Sequence, residues 1–205
     1  MHATLCICAL VSPLQVRSRL SLLVHYREAR KPTNTGLLAA QMLERSEVGI
    51  VGDRDRPLQL PLVRPDELGL VLYPDDDAVP IGQYAGSDRP IVLVVPDGNW
   101  RQAGKMRRRV PGLADLPCVS LPAMPPTAYK LRAELRDGGL ATLEAIAGAF
   151  SILEGERGPA IEAALLGVFR VMVDRTLWSR GALRDSEVTG GVPPAAALAR
   201  TSPGT

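Results

Sequence analysis

The segment VVPDGNWRQAGKMRRRV places an acid, a glycine and a tryptophan directly before a cluster of basic residues. Asp97 ends a hydrophobic run and Gly98 permits a tight turn, so the carboxylate is expected to project into a cleft. Trp100, one of 2 tryptophans in the chain, offers a flat face on which a base can stack. The basic residues would suit phosphates: Arg101, Lys105, Arg107, Arg108 and Arg109.

The same segment also fits the ordinary end of a buried strand before a solvated helix. In that case Asp97 caps a turn, Trp100 anchors the helix to the core, and the arginines lie in water. The residue types and their spacing leave both interpretations open.

Three further stretches carry groups that could act in a site. His25 ends another hydrophobic run and is followed by Glu28, and the two could form an acid–base pair or simply make local hydrogen bonds. Asn34 or Thr35 could cap a helix, and a helix N-terminus also attracts anions. Glu144 lies at a later helix start, where it favours the helix dipole; if buried, it would instead indicate a positively charged ligand group.

Metal chemistry has weak support in the sequence. Cys6 and Cys8 form a C-x-C pair, which cannot by itself supply the four ligands of a structural zinc site. His2 and Cys118 could complete such a set, but their separation along the chain gives no spacing signature, and we expect no metal site.

Short hydrophobic runs alternate with helical patterns along the chain, which predicts an α/β fold with a mostly parallel sheet flanked by helices. The predicted strands are 19–26, 48–53, 68–74, 91–97 and, more weakly, 118–122. The predicted helices are 34–46, 99–110, 140–155 and 158–181. Ligands of such sheets gather at the carboxyl ends of the strands, where LYPDDD and VPDGNW both place a proline and carboxylates.

Length and composition indicate one domain of 205 residues with a formal net charge of +2. We expect a folded domain over residues 1–184 and a disordered tail over 185–205, which is rich in Pro, Gly and Ala. No apolar run reaches the roughly eighteen residues of a membrane helix, and no signal peptide is evident, so we expect a cytoplasmic protein without a membrane partner. The oligomeric state is open, with a monomer favoured.

Taken in order, these motifs resemble the DTW-domain family, the tRNA-uridine aminocarboxypropyltransferases. The resemblance extends to about Gly181 and rests on the C-x-C pair, the strand with His25 and Glu28, and the segments PTNTG, VLYP, PDGNWRQAGKM, YKLR and GLATLEAIA. Each motif is weak, but the ordered set is specific. The departures are Asn99 in place of the signature threonine and Ala141 in place of a serine.

The resemblance implies a SPOUT-like fold with a C-terminal trefoil knot, and S-adenosylmethionine held by the knot loops as the donor of a 3-amino-3-carboxypropyl group to N3 of a tRNA uridine. Asp97 would be the base and Trp100 a stacking partner. The implied cofactor-binding residues are Leu72, Tyr73, Pro74, Asp97, Gly98, Asn99, Arg101, Thr142, Leu143 and Glu144. The implied RNA-binding residues are His25, Lys105, Arg107, Arg108, Arg109 and Arg132.

Two other functions stay open from the sequence. A SPOUT-type RNA methyltransferase would use the same cofactor and fold but release S-adenosylhomocysteine instead of methylthioadenosine. A non-catalytic RNA-binding accessory protein would fit the departures at Asn99 and Ala141, and it would have no use for S-adenosylmethionine.

Overall fold

A computed structural model describes residues 3–53, 58, 61–127, 129, 131 and 139–201 of the chain. Within these residues, 6 strands form one sheet in which each paired neighbour runs parallel. The strands are β1 (Arg19–His25), β2 (Ser46–Val51), β3 (Leu68–Leu72), β4 (Val79–Pro80), β5 (Ile91–Asp97) and β6 (Cys118–Ser120). Their order across the sheet is β2-β1-β5-β3-β6-β4. The predicted α/β class is confirmed.

Helices cover both faces of this sheet. They are α1 (Thr35–Met42), α2 (Trp100–Arg109), α3 (Thr142–Leu153), α4 (Gly158–Ser179) and α5 (Pro194–Thr201). Side chains of a strand alternate between its two faces, so Leu22 packs in a core with α1, α3 and α4, while Leu23 packs under α2. Both faces of β1 and β5 are therefore buried, which explains why their sequences are hydrophobic without alternation.

Buried charges fix the amino-terminal end of the sheet. Arg19 opens β1 with its side chain only 2% exposed, and its Nε and Nη2 donate to the two carboxylate oxygens of Glu67 at 2.7 and 2.5 Å. Its Nη1 donates to Glu47 of β2 at 2.8 Å. Just before the strand, the backbone amides of Arg17 and Ser18 donate to the buried Glu154 carboxylate, both at 2.8 Å. These contacts fix the start of β1 against β2, the segment before β3 and the end of α3.

The segment that follows α4 differs from the sequence-based expectation of a disordered tail. Residues 185–187 form a short 3-10 turn, and Trp178 Nε1 donates to Asp185 at 2.8 Å. Val188 and Ala196 are buried in a small cluster with Leu5 and Trp178, and this cluster attaches the segment to the chain start. The sequence did not show this because alanine and proline patterns resemble linkers. The domain boundary at residue 184 stays a prediction.

Across the described part of the chain, no helix combines the length and the hydrophobicity that crossing a membrane would require.

Candidate active site

A cavity of about 930 Å³ opens at the carboxyl ends of the strands. Parallel strands bring their exit loops to one edge of a sheet, so residues far apart in the sequence meet here. The loops that follow β1, β3, β5 and β6 all contribute lining residues, as does the start of α3. The lining combines apolar side chains such as Leu72, Val95 and Met124 with a few polar groups, the composition expected of a small-molecule site.

Asp97 lies in the wall of this cavity, only 6% exposed. Its Oδ2 accepts a hydrogen bond from Asn34 Nδ2 at 2.6 Å, and its Oδ1 accepts one from Thr142 Oγ1 at 2.5 Å. The two donors come from the starts of α1 and α3, so this carboxylate joins three segments at the cavity. Because both of its oxygens accept a hydrogen bond, the Asp97 side chain is held in one orientation.

Gly36 allows this close approach. A Cβ atom at this position would lie 3.2 Å from Asp97 Cγ, from Leu22 Cδ1 and from Thr142 Cγ2, closer than ordinary van der Waals contact, so these side chains would have to shift by a few tenths of an ångström. Asn34 makes two contacts here. Its Oδ1 caps α1 by accepting from the Leu37 amide at 2.7 Å, and its Nδ2 donates to Asp97.

The turn between Asp97 and α2 is closed by a capping box. Asn99 Oδ1 accepts from the Gln102 amide at 2.9 Å, and Gln102 Oε1 accepts from the Asn99 amide at 2.8 Å. A Cβ at Gly98 would lie 2.9 Å from Gln102 Cβ and Oε1, so glycine is needed for the box to form. Asn99 thus performs the cap that a threonine could perform, and the departure from the family signature leaves the turn intact.

Trp100 begins α2 at the cavity mouth and is 40% exposed. Its ring meets that of Tyr73 edge-on, with 6.2 Å between centroids and 64° between planes. Tyr73 follows β3, so the aromatic pair spans two of the loops around the cavity. A large aromatic surface left this accessible at a pocket entrance can stack on a base or a nucleoside.

Ala141 leaves the start of α3 half capped. Glu144 Oε2 accepts from the Ala141 amide at 2.8 Å and from Thr127 Oγ1 at 2.5 Å, but alanine has no side-chain acceptor for the amides of the first turn. Glu144 is therefore a buried structural group that joins α3 to the loop after β6, and it does not line the cavity.

We expect an Ala141→Ser variant to be about 1 kcal/mol more stable than the wild type, because a serine hydroxyl at this position can accept from an amide of the first turn and complete the capping box. Urea unfolding measures the difference. Ala145→Ser, in the interior of the same helix, is the matched control and should give no gain. Equal effects of the two variants would contradict the capping explanation.

The basic residues of α2 separate into two groups. Arg107 is partly buried and its Nε donates to Asp75 at 2.9 Å; this bond lowers the pKa of the Asp75 carboxyl. Arg107 thereby fixes α2 against the loop that follows β3. The remaining cations of the helix are exposed on the surface beside the cavity: Arg101, Lys105, Arg108 and Arg109.

His25 ends β1 beside the capping box rather than in the cavity lining. Its Nδ1 lies 3.3 Å from both the Arg27 amide and Gln102 Nε2. Burial, followed by the charge of Arg27, lowers the pKa of His25 from its usual 6.5. The ring is therefore neutral at pH 7 and accepts at Nδ1, which suits a supporting role under the turn better than a contact with a phosphate.

Most of the catalytic and cofactor-binding residues implied by the resemblance meet at the cavity. The lining contains Leu72, Tyr73, Pro74, Asp97, Gly98, Asn99, Trp100 and Thr142. Three of the implied cofactor-binding residues do not line the cavity: Arg101 is exposed, and Leu143 and Glu144 are buried. The geometry gives no support to a cofactor contact from these three. Arg132 lies outside the described residues. All these site assignments stay predictions.

Several lining residues were not assigned by the sequence reasoning. Asn34 was interpreted as a possible cap at a helix start that could also attract anions, and its hydrogen bond to Asp97 was not predicted. Glu28 and Lys31 form an ion pair in the wall, and Tyr129 donates from its hydroxyl to the Thr33 carbonyl at 3.2 Å. The signal for the first pair was available, because an acid and a lysine three residues apart after a strand end can reach one another.

Cys6 and Cys8 lie far from this cavity at the chain start, both exposed, with 2.7 Å between their Sγ atoms. Among the described residues, which do not include His2, no group of three or more His, Cys, Asp or Glu side chains is arranged to hold a metal ion.

The parallel sheet and the partly polar cavity at its carboxyl edge define an α/β protein whose cavity has the size and lining expected of a small-molecule site. Residues 1–177 match the model of the DTW domain, and the chain belongs to the DTW-domain family. The predicted family resemblance is confirmed.

A curated relative is named tRNA-uridine aminocarboxypropyltransferase 2, from Drosophila melanogaster. It is 32% identical to this chain over 149 residues, which make up 69% of the chain and 59% of the relative. The chain thus spans less than two thirds of that relative's length. No solved structure matches the chain.

Proposed function

We propose that this protein transfers the 3-amino-3-carboxypropyl group of S-adenosylmethionine to N3 of a uridine in tRNA and releases methylthioadenosine. The observation that carries the proposal is Asp97, a buried carboxylate held by two hydrogen bonds in the wall of a cavity that Trp100 borders. Family membership and the name of the relative give the reaction class.

The cavity residues fit S-adenosylmethionine as the donor. The cavity volume of about 930 Å³ lies in the range of pockets for small organic ligands. The apolar wall of Leu72, Pro74 and Met124 suits the adenosine and the S-methyl group. Asp97 supplies a negative charge near which a sulfonium is stabilised. Several side chains from different loops would orient the donor, so that the carboxypropyl carbon and not the methyl faces the uridine.

In the proposed reaction, N3 of the uridine attacks the carbon that joins sulfur to the amino acid side chain. The new N–C bond forms as the C–S bond breaks, and methylthioadenosine leaves with the electron pair of that bond. The N3 proton passes to the Asp97 carboxylate, which Asn34 and Thr142 orient. Trp100, exposed at the mouth, is placed to stack on the uracil.

The direct test is transfer to unmodified tRNA from S-adenosylmethionine labelled in the carboxypropyl portion. Label should appear in a uridine nucleoside after digestion, together with one methylthioadenosine released for each uridine modified. Label transferred from the methyl group instead, with release of S-adenosylhomocysteine, would replace this proposal with the methyltransferase. Binding of tRNA without any binding of S-adenosylmethionine would favour an accessory protein.

We propose that the basic surface of α2 binds the phosphates of the tRNA backbone. Arg101, Arg108 and Arg109 are exposed on the helix whose first residue borders the cavity, so phosphates bound there would bring a nucleotide to the mouth. Arg107 is left out of this set because Asp75 already pairs with it.

A variant with Arg101, Arg108 and Arg109 changed to Gln should bind tRNA with a salt dependence weaker by about 2 to 3 in the slope of log K against log salt, since each lost phosphate contact removes nearly one released counterion. Filter binding over a range of salt concentrations measures the slope. Arg170→Gln, an exposed arginine of α4 on the opposite face of the sheet, is the control and should leave it unchanged. The same slope for the triple variant and the wild type would rule out this surface.

The SPOUT-like knot belongs to the proposal as well. What supports it is that the loops after β3, β5 and β6 meet at one cavity, and that residues 121–124 after β6 and residues 139–142 at the start of α3 both line it.

A further inference from the structure

Three charged side chains are found among the described residues that line the cavity: Glu28, Lys31 and Asp97. Glu28 is buried, and its Oε1 accepts from Lys31 Nζ at 2.7 Å. The Lys31 side chain is 48% exposed, so its ammonium reaches the rim of the cavity while the acid stays in the wall. The wall therefore presents a negative, a positive and a second negative charge.

The proposed donor carries the opposite set. S-adenosylmethionine has a positive sulfonium at its centre, and its amino acid end has a positive ammonium and a negative carboxylate on one carbon. With Asp97 facing the sulfonium, the remaining pair of opposite charges in the wall faces a zwitterion. On the basis of the proposed function, we infer that Glu28 accepts the ammonium of the donor and Lys31 donates to its carboxylate.

The position of this pair agrees with the chemistry. Asn34 connects the two parts of the wall, because its Nδ2 lies 2.6 Å from Asp97 Oδ2 and 3.4 Å from the Glu28 carbonyl. In the donor, the carbon that N3 attacks is separated from the carbon with the two charged groups by a single methylene. The segment that carries Glu28 and Lys31 is thus bonded to the same amide group as Asp97, and in the proposed subsite it holds the amino acid end while the attacked carbon faces the base.

Glu144 and Arg101, two of the cofactor-binding residues implied by the resemblance, are placed less well to bind the amino acid end of the donor. Glu144 accepts from Thr127 and from the Ala141 amide and does not line the cavity. Arg101 is exposed outside the lining. Glu28 differs because it is buried in the wall, where low polarity strengthens a bond to an ammonium.

The test is calorimetric binding of three ligands to the wild type and to variants: S-adenosylmethionine, its decarboxylated form and methylthioadenosine. Glu28→Gln keeps the shape and an acceptor for Lys31 but removes the charge. We expect it to bind S-adenosylmethionine at least about 10-fold more weakly, and to bind methylthioadenosine, which lacks the amino acid end, as the wild type does.

Lys31→Met tests the carboxylate separately. It should lower the affinity for S-adenosylmethionine about 3- to 10-fold and leave the affinity for the decarboxylated form unchanged. The loss is smaller than for Glu28→Gln because the Lys31 side chain is about half exposed to water. Arg170→Met and Glu156→Gln are the controls, since they remove a positive and a negative charge from exposed positions outside the lining. Neither should change the affinity for any of the three ligands.

The outcomes separate this subsite from the function on which it depends. If both variants bind S-adenosylmethionine like the wild type, or if Glu28→Gln weakens methylthioadenosine to the same extent, the subsite is wrong while the transferase proposal stands. If the wild type binds neither S-adenosylmethionine nor methylthioadenosine, the proposed function itself fails, and the subsite fails with it.

Discussion

Asp97→Asn should transfer the carboxypropyl group about 10² to 10⁴ times more slowly than the wild type, while S-adenosylmethionine still binds. The variant keeps the volume of the side chain and can still accept the Thr142 hydroxyl with its amide oxygen. It loses the oxygen that accepts from Asn34, and with it the proton acceptor for N3. Single-turnover transfer, with enzyme in excess over tRNA, measures the chemical step without product release.

Two controls distinguish loss of the base from loss of the fold. Asp76→Asn makes the same change at an exposed aspartate after β3, and we expect full transfer from it. Thr142→Val keeps the Asp97 carboxylate but removes one of its hydrogen bonds, so its rate should lie between those of the wild type and Asp97→Asn. An Asp97→Asn enzyme with the wild-type rate would remove Asp97 from the role of base.

The fold could be predicted because its strands are buried on both faces. The runs around Leu22 and Leu93 are rich in Leu and Val without regular alternation, and the structure places them as inner strands of a parallel sheet. The two-residue strand β4 carried no such signal, because it pairs only at the edge beside β6. The packed segment after α4 was also missed, since its few buried residues, such as Val188, are too sparse to form a periodic pattern.

The candidate site was predictable only where function and position coincide in one segment. Asp97 and Trp100 follow a strand directly, so the sequence alone places them at the carboxyl edge. The partners of Asp97 come from 45 and 63 residues away in the chain, and no local pattern indicates that Thr142 and Asn34 meet there. Glu144 shows the same limit, because an acid in a first turn can bind a ligand or cap the helix. In the structure it accepts from the Ala141 amide, and its role toward a ligand stays a prediction.

Glu67→Gln should lower the free energy of unfolding by about 3 kcal/mol at neutral pH, the largest stability loss we expect from a single conservative change. Arg19 and Glu67 are each 2% exposed and joined by two hydrogen bonds. Glutamine removes the negative charge and one of the two acceptors, so the buried guanidinium keeps only the amide oxygen, its contact to the more exposed Glu47 and a backbone carbonyl. Urea unfolding measures the loss. Glu47→Gln changes the more exposed partner of the same arginine and should cost about 1 kcal/mol or less.

The pH dependence of that loss identifies its cause. The hydrogen bond from Arg19 holds the pKa of Glu67 below its usual value of 4.5 in the folded protein. A carboxyl group with a depressed pKa contributes its stability fully above the pKa of the unfolded chain and loses it as the pH falls through the folded value. The gap between the wild type and Glu67→Gln should therefore be complete at pH 7 and shrink progressively below pH 4.5. If the difference in unfolding free energy were the same at acid pH, the glutamine would instead disturb packing, because packing does not depend on the protonation of a carboxyl group.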